Sequence, residues 1–148
     1  MTMPTLELPD ENSYRFVVLL NKKIETGKLM NALSHMAAGL AGGFGKAEGM
    51  CFLEYQDKEH GVHPFISHFP FIVLQAKNSN QIRRIRKEAL MRKLISTDFT
   101  HTMTVGTSKE QQQRTKDTPE SELEYYGICL FGPTAVLREF TGKFSLFT

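Results

Sequence analysis

Tyr14-Arg15-Phe16-Val17-Val18-Leu19-Leu20, followed by Asn21-Lys22-Lys23-Ile24-Glu25-Thr26-Gly27-Lys28, decides the fold. The first seven residues are a short, nearly continuous apolar run rich in valine. That is the pattern of a strand buried on both faces. The next residues turn the chain into a helix, with Thr26 as N-cap and Gly27 and Lys28 in the first turn. Its apolar stripe is Leu29, Leu33, Met36, Ala37 and Leu40, the spacing of one helix face, and Gly42-Gly43 predicts its end.

Working outward, residues 1–13 hold prolines and acids with little periodicity and read as a loosely held tail. Downstream, residues 50–55 and 62–68 predict a hairpin, and residues 70–76 another buried strand with Pro70 at its tolerated first position. Residues 78–95 predict a helix capped by Asn78 or Ser79, with Ile82, Ile85 and Ala89 aligned. The Thr- and Phe-rich stretch 97–106 predicts a strand. The polar segment 107–122 reads as a loop or exposed helix, and 123–131 as a strand ended by Gly132-Pro133. A short helix over 134–140 and a strand or docked tail over 142–147 follow. This alternation predicts a three-layer α/β/α sandwich with a mixed central sheet of about four strands. A hairpin insertion falls at about 46–69, within a single domain spanning 14–148.

The 148 residues suit one domain, and 41% hydrophobic with 23% charged residues excludes wholesale disorder. A net charge of +2 is too small to imply nucleic acid or membrane by itself. The acidic N-terminus has no signal-peptide pattern. Two cysteines give no disulfide framework, and a reducing cytoplasm is the expected compartment.

Several side chains are candidates for chemistry. Lys28 sits in the first turn of a helix that follows a strand, where free backbone amides attract anions. His35 lies seven residues on, only ~20° around the helix, and Asn31 is close to the same face. Asp98 stands in an otherwise uncharged stretch with Thr100, Thr102 and Thr104 nearby, a setting in which a carboxylate can orient water. Arg83, Arg84, Arg86, Lys87, Arg92 and Lys93 face one acid, Glu88, a pattern suited to phosphate contact or to a solvated helix face. His60, His63 and His68 cluster with Glu54, Asp57 and Glu59 but lack a zinc-site spacing, so no metal is expected. Cys51 and Cys129, both inside apolar runs, read as buried core thiols.

The run Val17 to Leu20, then Gly27-Lys28, then Ser34-His35-Met36-Ala37-Ala38, resembles the opening of the type 2 peptidyl-tRNA hydrolases. Asp98 with Thr102, Leu130-Phe131-Gly132-Pro133 and Thr141-Gly142 continue the resemblance in order. Phe69-Pro70-Phe71-Ile72 and Lys143-Phe144-Ser145-Leu146 look closer to an uncharacterised, mostly bacterial family that shares the hydrolase fold. The resemblance implies a weak ester hydrolase acting on peptidyl-tRNA or a related substrate. In that reading Lys28 stabilises an oxyanion, Asp98 positions or deprotonates water and Thr102 supports it. Asn31, His35, Thr100, Arg83 and Lys87 would contact substrate, with no cofactor, and tRNA or a small anionic ligand as partner. A homodimer is the assembly the resemblance implies. The hydrolase glutamine falls on Ala32, so turnover is expected to be slow and Ala32→Gln to raise it. The alternative is a non-catalytic module of the same fold that binds a small anion, a peptide or nucleic acid. Convergence of Lys28, Asp98 and Thr102 on one open pocket separates the two.

Overall fold

A computed structural model describes residues 7–148. The elements are β1 (Tyr14–Asn21), α1 (Thr26–Phe44), β2 (Phe52–Gln56), β3 (Val62–Ser67), β4 (Phe71–Ala76), α2 (Ser79–Met91), β5 (Ile95–Thr100), α3 (Ser108–Lys116), β6 (Tyr125–Pro133) and α4 (Thr134–Thr141). The main sheet has the order β4-β1-β6-β5. β1 runs parallel to β4 and antiparallel to β6, and β6 is antiparallel to β5, so the sheet is mixed.

The continuous apolar runs of β1 and β6 are explained by their central places. Each side of β1 packs into its own core. Phe16, Val18 and Leu20 meet Leu29, Ala32, Met36 and Leu40 of α1. Val17 and Leu19 meet Ile82, Ile85 and Ala89 of α2 and Leu137 of α4. The result is the expected three-layer arrangement. Gly127 in β6 admits α1 closely: a Cβ there would stand 2.9 Å from Met36 Cε and 3.0 Å from the Leu19 carbonyl oxygen.

Several ends differ from the sequence expectation. Thr26 is the first helical residue of α1, and Glu25 holds the cap position without a side-chain hydrogen bond. Gly42 and Gly43 stay inside the helix, because nothing there requires a positive φ. Asn78 does cap α2, its Oδ1 accepting from the Gln81 N–H at 3.0 Å. That helix stops at Met91, where Lys93 turns into the left-handed region at φ 57° and Ile95 already opens β5. β5 ends at Thr100 and gives way to a 3₁₀ turn over His101–Met103.

The insertion forms a separate two-stranded sheet, β2 with β3, that leaves Tyr55, Phe65 and Ile66 exposed. Residues 7–13 are exposed but tethered: His68 Nε2 bonds the Pro9 carbonyl at 2.6 Å, and the Thr134 N–H donates to the Ser13 carbonyl. The earlier tail residues 1–6 lie outside the described residues. The C-terminal segment docks along β4, through Gln75 N–H to the Ser145 carbonyl and Phe147 N–H to the Val73 carbonyl. Among the described residues no helix is long and apolar enough to cross a membrane.

Candidate functional site

The N-terminal half of α1, the edge strand β5 and the turn after it enclose a two-part cleft. One part, about 500 Å³, is bordered by Asn31, His35, Thr97, Phe99, Thr104 and Gln111. The other, about 360 Å³, is bordered by Gly27, Lys28, Asn31, Phe99, Val105 and Tyr126. Asn31, Phe99 and Thr104 belong to both, so the two parts are continuous. Lys28, Asn31 and His35 are exposed, and their side chains have no hydrogen-bond partner among the described residues. Leu29, Ala32 and Met36 turn inward and hold α1 on the sheet, which fixes the opposite stripe toward the cleft. The floor is aromatic. The Phe99 ring lies 5.8 Å from the His35 ring and 5.8 Å from the Tyr126 ring.

Of the other expected members, only Asp98 also borders the cleft. Along β5, Thr97 Oγ1 donates to the Met36 carbonyl at 3.0 Å and Phe99 packs beneath α1. Alternation along a strand sends the intervening Asp98 to the opposite face. There its Oδ2 accepts from Arg86 Nε of α2 at 3.2 Å. Asp98 reaches the cleft only as a bordering residue of the edge strand. Lys28 and Asp98 thus border different parts of the cleft, and the Asp98 carboxylate is engaged by Arg86.

Thr102 and Thr100 are fully buried. Their hydroxyls bond each other at 2.6 Å, and Thr102 also bonds Thr115 at 2.7 Å, which ties α3 to the end of β5. Both hydroxyls are engaged inside the fold, and neither residue borders the cleft. Arg83 is likewise consumed. Its Nε donates to Glu120 at 2.7 Å and its Nη2 to the Leu123 carbonyl at 2.6 Å, while its guanidinium lies over the Tyr125 ring. It pins the segment before β6 to α2 and is not available to a phosphate. Lys87 is exposed on α2, remote from the cleft lining.

Ala32 is fully buried in the core beneath α1. The expectation that position 32 occupies the groove is overturned, while Asn31, expected to contact substrate, borders the cleft. Gln111, Met103 and Tyr126 also border the cleft without having been singled out in the sequence. For Gln111 the signal was only that the polar segment 107–122 had to pack somewhere. His63 Nε2 is 2.7 Å from Asp57 Oδ2 and His68 is held by Pro9, so the histidine cluster is dispersed into local contacts. Among the described residues no three metal-ligating side chains converge. Burial pushes the Cys129 thiol up to about 12, which leaves it inert.

Asp98, between the cleft and Arg86, is a titrating group. Burial raises its carboxyl above the ordinary 3.8, Arg86 pulls it back down, and the Glu120 charge adds to the rise. The folded state thus keeps this proton to higher pH than the unfolded chain. Stability is lost as pH rises through a window that opens at the ordinary value and closes at the raised one. Asp98→Asn removes that titration. The variant is expected to gain stability relative to wild type as pH climbs from acid toward neutrality, measured by urea unfolding at several pH values. An offset that stays flat or slopes the other way contradicts the assignment.

The architecture defines a mixed α/β sandwich whose cleft lies over the first turns of α1. The chain belongs to the family described as "Protein of unknown function (DUF2000)", which it matches over residues 14–148. An uncharacterised family is what the Phe69-to-Ile72 and Lys143-to-Leu146 resemblance implied. No curated protein matches the chain. It is similar to a solved structure of Atu0240, a protein of unknown function from Agrobacterium tumefaciens strain C58. The identity is 16%, the similarity covers 92% of this chain and 98% of that chain, and the TM-score is 0.78. Likeness at that identity concerns the fold alone, and neither description names an activity.

Proposed function

We propose that the protein is a binding module for a small ligand that carries an anionic group on an apolar or planar body. The observation that supports it most is the stripe of three unpartnered polar side chains, Lys28, Asn31 and His35, along one continuous cleft with an aromatic floor. Lys28 supplies a cation at a helix start whose cap carries no side-chain hydrogen bond, so charge and free amides act together on an anion. Asn31 offers both a donor and an acceptor one turn further on. Phe99, Tyr126 and His35 offer ring faces and edges for the ligand body.

The ester-hydrolase reading asks for a base beside Lys28. Asp98 is engaged by Arg86 and the Thr102 hydroxyl by Thr100 and Thr115, which favours the binding reading over the hydrolytic one.

The test is a titration with adenosine 5′-monophosphate and, in parallel, inorganic phosphate, followed through the Asn31 side-chain amide by NMR. Saturable shifts are expected with the nucleotide, and weaker ones with phosphate, which lacks the planar body. Lys28→Ala removes a charge-assisted hydrogen bond of about 1.5–3 kcal/mol, so affinity is expected to fall roughly 10–100-fold. Absence of saturable shifts at Asn31, or an unchanged affinity in Lys28→Ala, argues against the proposal. Lys28-dependent turnover of a peptidyl-tRNA mimic would restore the hydrolytic reading instead.

A further inference from the structure

A second cavity, on the opposite side of the sheet from Lys28, has an unusual charge balance. It measures about 400 Å³ and lies between β1, β4, α4 and the docked C-terminal segment. That volume is within the range of small-ligand pockets, roughly 300–1,000 Å³. Two guanidinium groups border it, Arg15 from β1 and Arg138 from α4, together with the apolar side chains of Val17, Leu74, Phe144 and Leu146. No carboxylate lines it. Neither arginine forms an ion pair among the described residues, and Glu139, the acid adjacent to Arg138, is held by Arg92.

Arg15 as a whole is only partly buried, yet its Nε is sealed from solvent and has no hydrogen-bond partner. The one other orphaned buried side-chain atom among the described residues, Thr134 Oγ1, belongs to the same corner of the fold. Thr134 begins α4, and its N–H bonds the Ser13 carbonyl just before β1. Desolvation lowers the Arg15 pKa, and the nearby Arg138 charge lowers it further. A folded protein satisfies its buried polar groups with few exceptions, and each exception asks for an explanation. Two neighbouring guanidinium groups with no carboxylate in the lining favour an anion between them.

We infer that this cavity binds a small carboxylic acid with an apolar chain, its carboxylate held by Arg15 and Arg138 and its chain lying against Val17, Leu74, Phe144 and Leu146. A carboxylate is acceptor-only, planar and matched to the guanidinium fork, so it supplies what both arginines lack. The apolar walls exclude a small hydrated anion as the preferred occupant, because such an anion would leave them facing a polar guest. The site is independent of the cleft at Lys28, from which β1 and β6 separate it.

The experiment compares sodium octanoate with sodium acetate, which has the charge without the chain, and 1-octanol, which has the chain without the charge. Octanoate is expected to bind saturably and to raise the melting temperature. Acetate and octanol are each expected to bind at least about tenfold more weakly, since each lacks one half of the recognition. Arg15→Met keeps the apolar stem and removes the charge. Octanoate affinity is expected to fall about tenfold or more, while the ligand-free variant melts no lower than wild type, because the uncompensated guanidinium is gone. Arg138→Met, on the exposed side of α4, reads the same loss of affinity without touching the sheet. Octanoate that fails to bind saturably overturns the inference. So does octanol binding as well as octanoate, or undiminished affinity in both variants. A ligand-free Arg15→Met that melts lower shows that the guanidinium is already compensated, and this also overturns it.

Discussion

Phe131→Ala is expected to cost about 3–5 kcal/mol, a large part of the 5–15 kcal/mol typical of a domain. Phe131 is 2% exposed and sits in β6, between Phe16 of β1 and Ile95 of β5 in register. Its ring lies 4.7 Å from that of Phe16, 5.7 Å from that of Tyr14 and 5.6 Å from that of Phe69. Truncation removes aromatic contacts as well as apolar burial, and the neighbours belong to strand backbones that cannot collapse into the space. Phe69 adds a second consequence. It closes the segment that carries the β2–β3 hairpin, so the cavity loosens the attachment of a sheet too small to be stable alone. Urea unfolding should show a lower midpoint with an unchanged slope. A loss below about 1 kcal/mol would mean that the aromatic cluster repacks around the gap.

The parts of this fold that were legible in the sequence are those where periodicity is set by burial on one or both sides. The run Phe16 to Leu20 is apolar at every position because β1 is sandwiched between α1 and the pair α2 and α4. The stripe Leu29, Met36, Leu40 is apolar at helical spacing because α1 has one buried face. Ends were less legible. Leu94 and Ile95 continue an apolar pattern past the end of α2, but the left-handed turn at Lys93 assigns Ile95 to the next strand. Within the site, Lys28, Asn31 and His35 were legible because all three lie on one helix, where spacing fixes direction. Asp98 was not, because a strand residue's face depends on which side of the sheet is covered by what, and the threonines around it suit either face. The second cavity was invisible for a different reason. Arg15 and Arg138 are 123 positions apart in sequence, and only the pairing of β1 with β6, which leads into α4, brings them together.

Ala32→Gln separates the two views of α1 most sharply. If position 32 faced a groove, as the resemblance to peptidyl-tRNA hydrolases implied, an amide there would improve activity at little structural cost. The structure instead places Ala32 at 0% exposure, in one core with Phe16, Val18, Leu20, Leu29 and Met36. A glutamine side chain would need space that is already filled, costing about 1–3 kcal/mol in overpacking. It would also bury an amide among side chains that offer no partner, at about 1–3 kcal/mol more. The variant is therefore expected to lose roughly 2–6 kcal/mol, with its melting temperature falling by many degrees. Ala32 lies one turn from both Lys28 and Met36, so lifting α1 off the sheet also displaces the stripe of Lys28, Asn31 and His35. Binding at the cleft should weaken even where the variant remains folded. Asn31→Ala is the matched comparison: it leaves the core intact, should melt within about 0.5 kcal/mol of wild type, and should still weaken ligand binding. An Ala32→Gln protein as stable as wild type would place residue 32 at the surface and reverse the assignment of the two faces of α1.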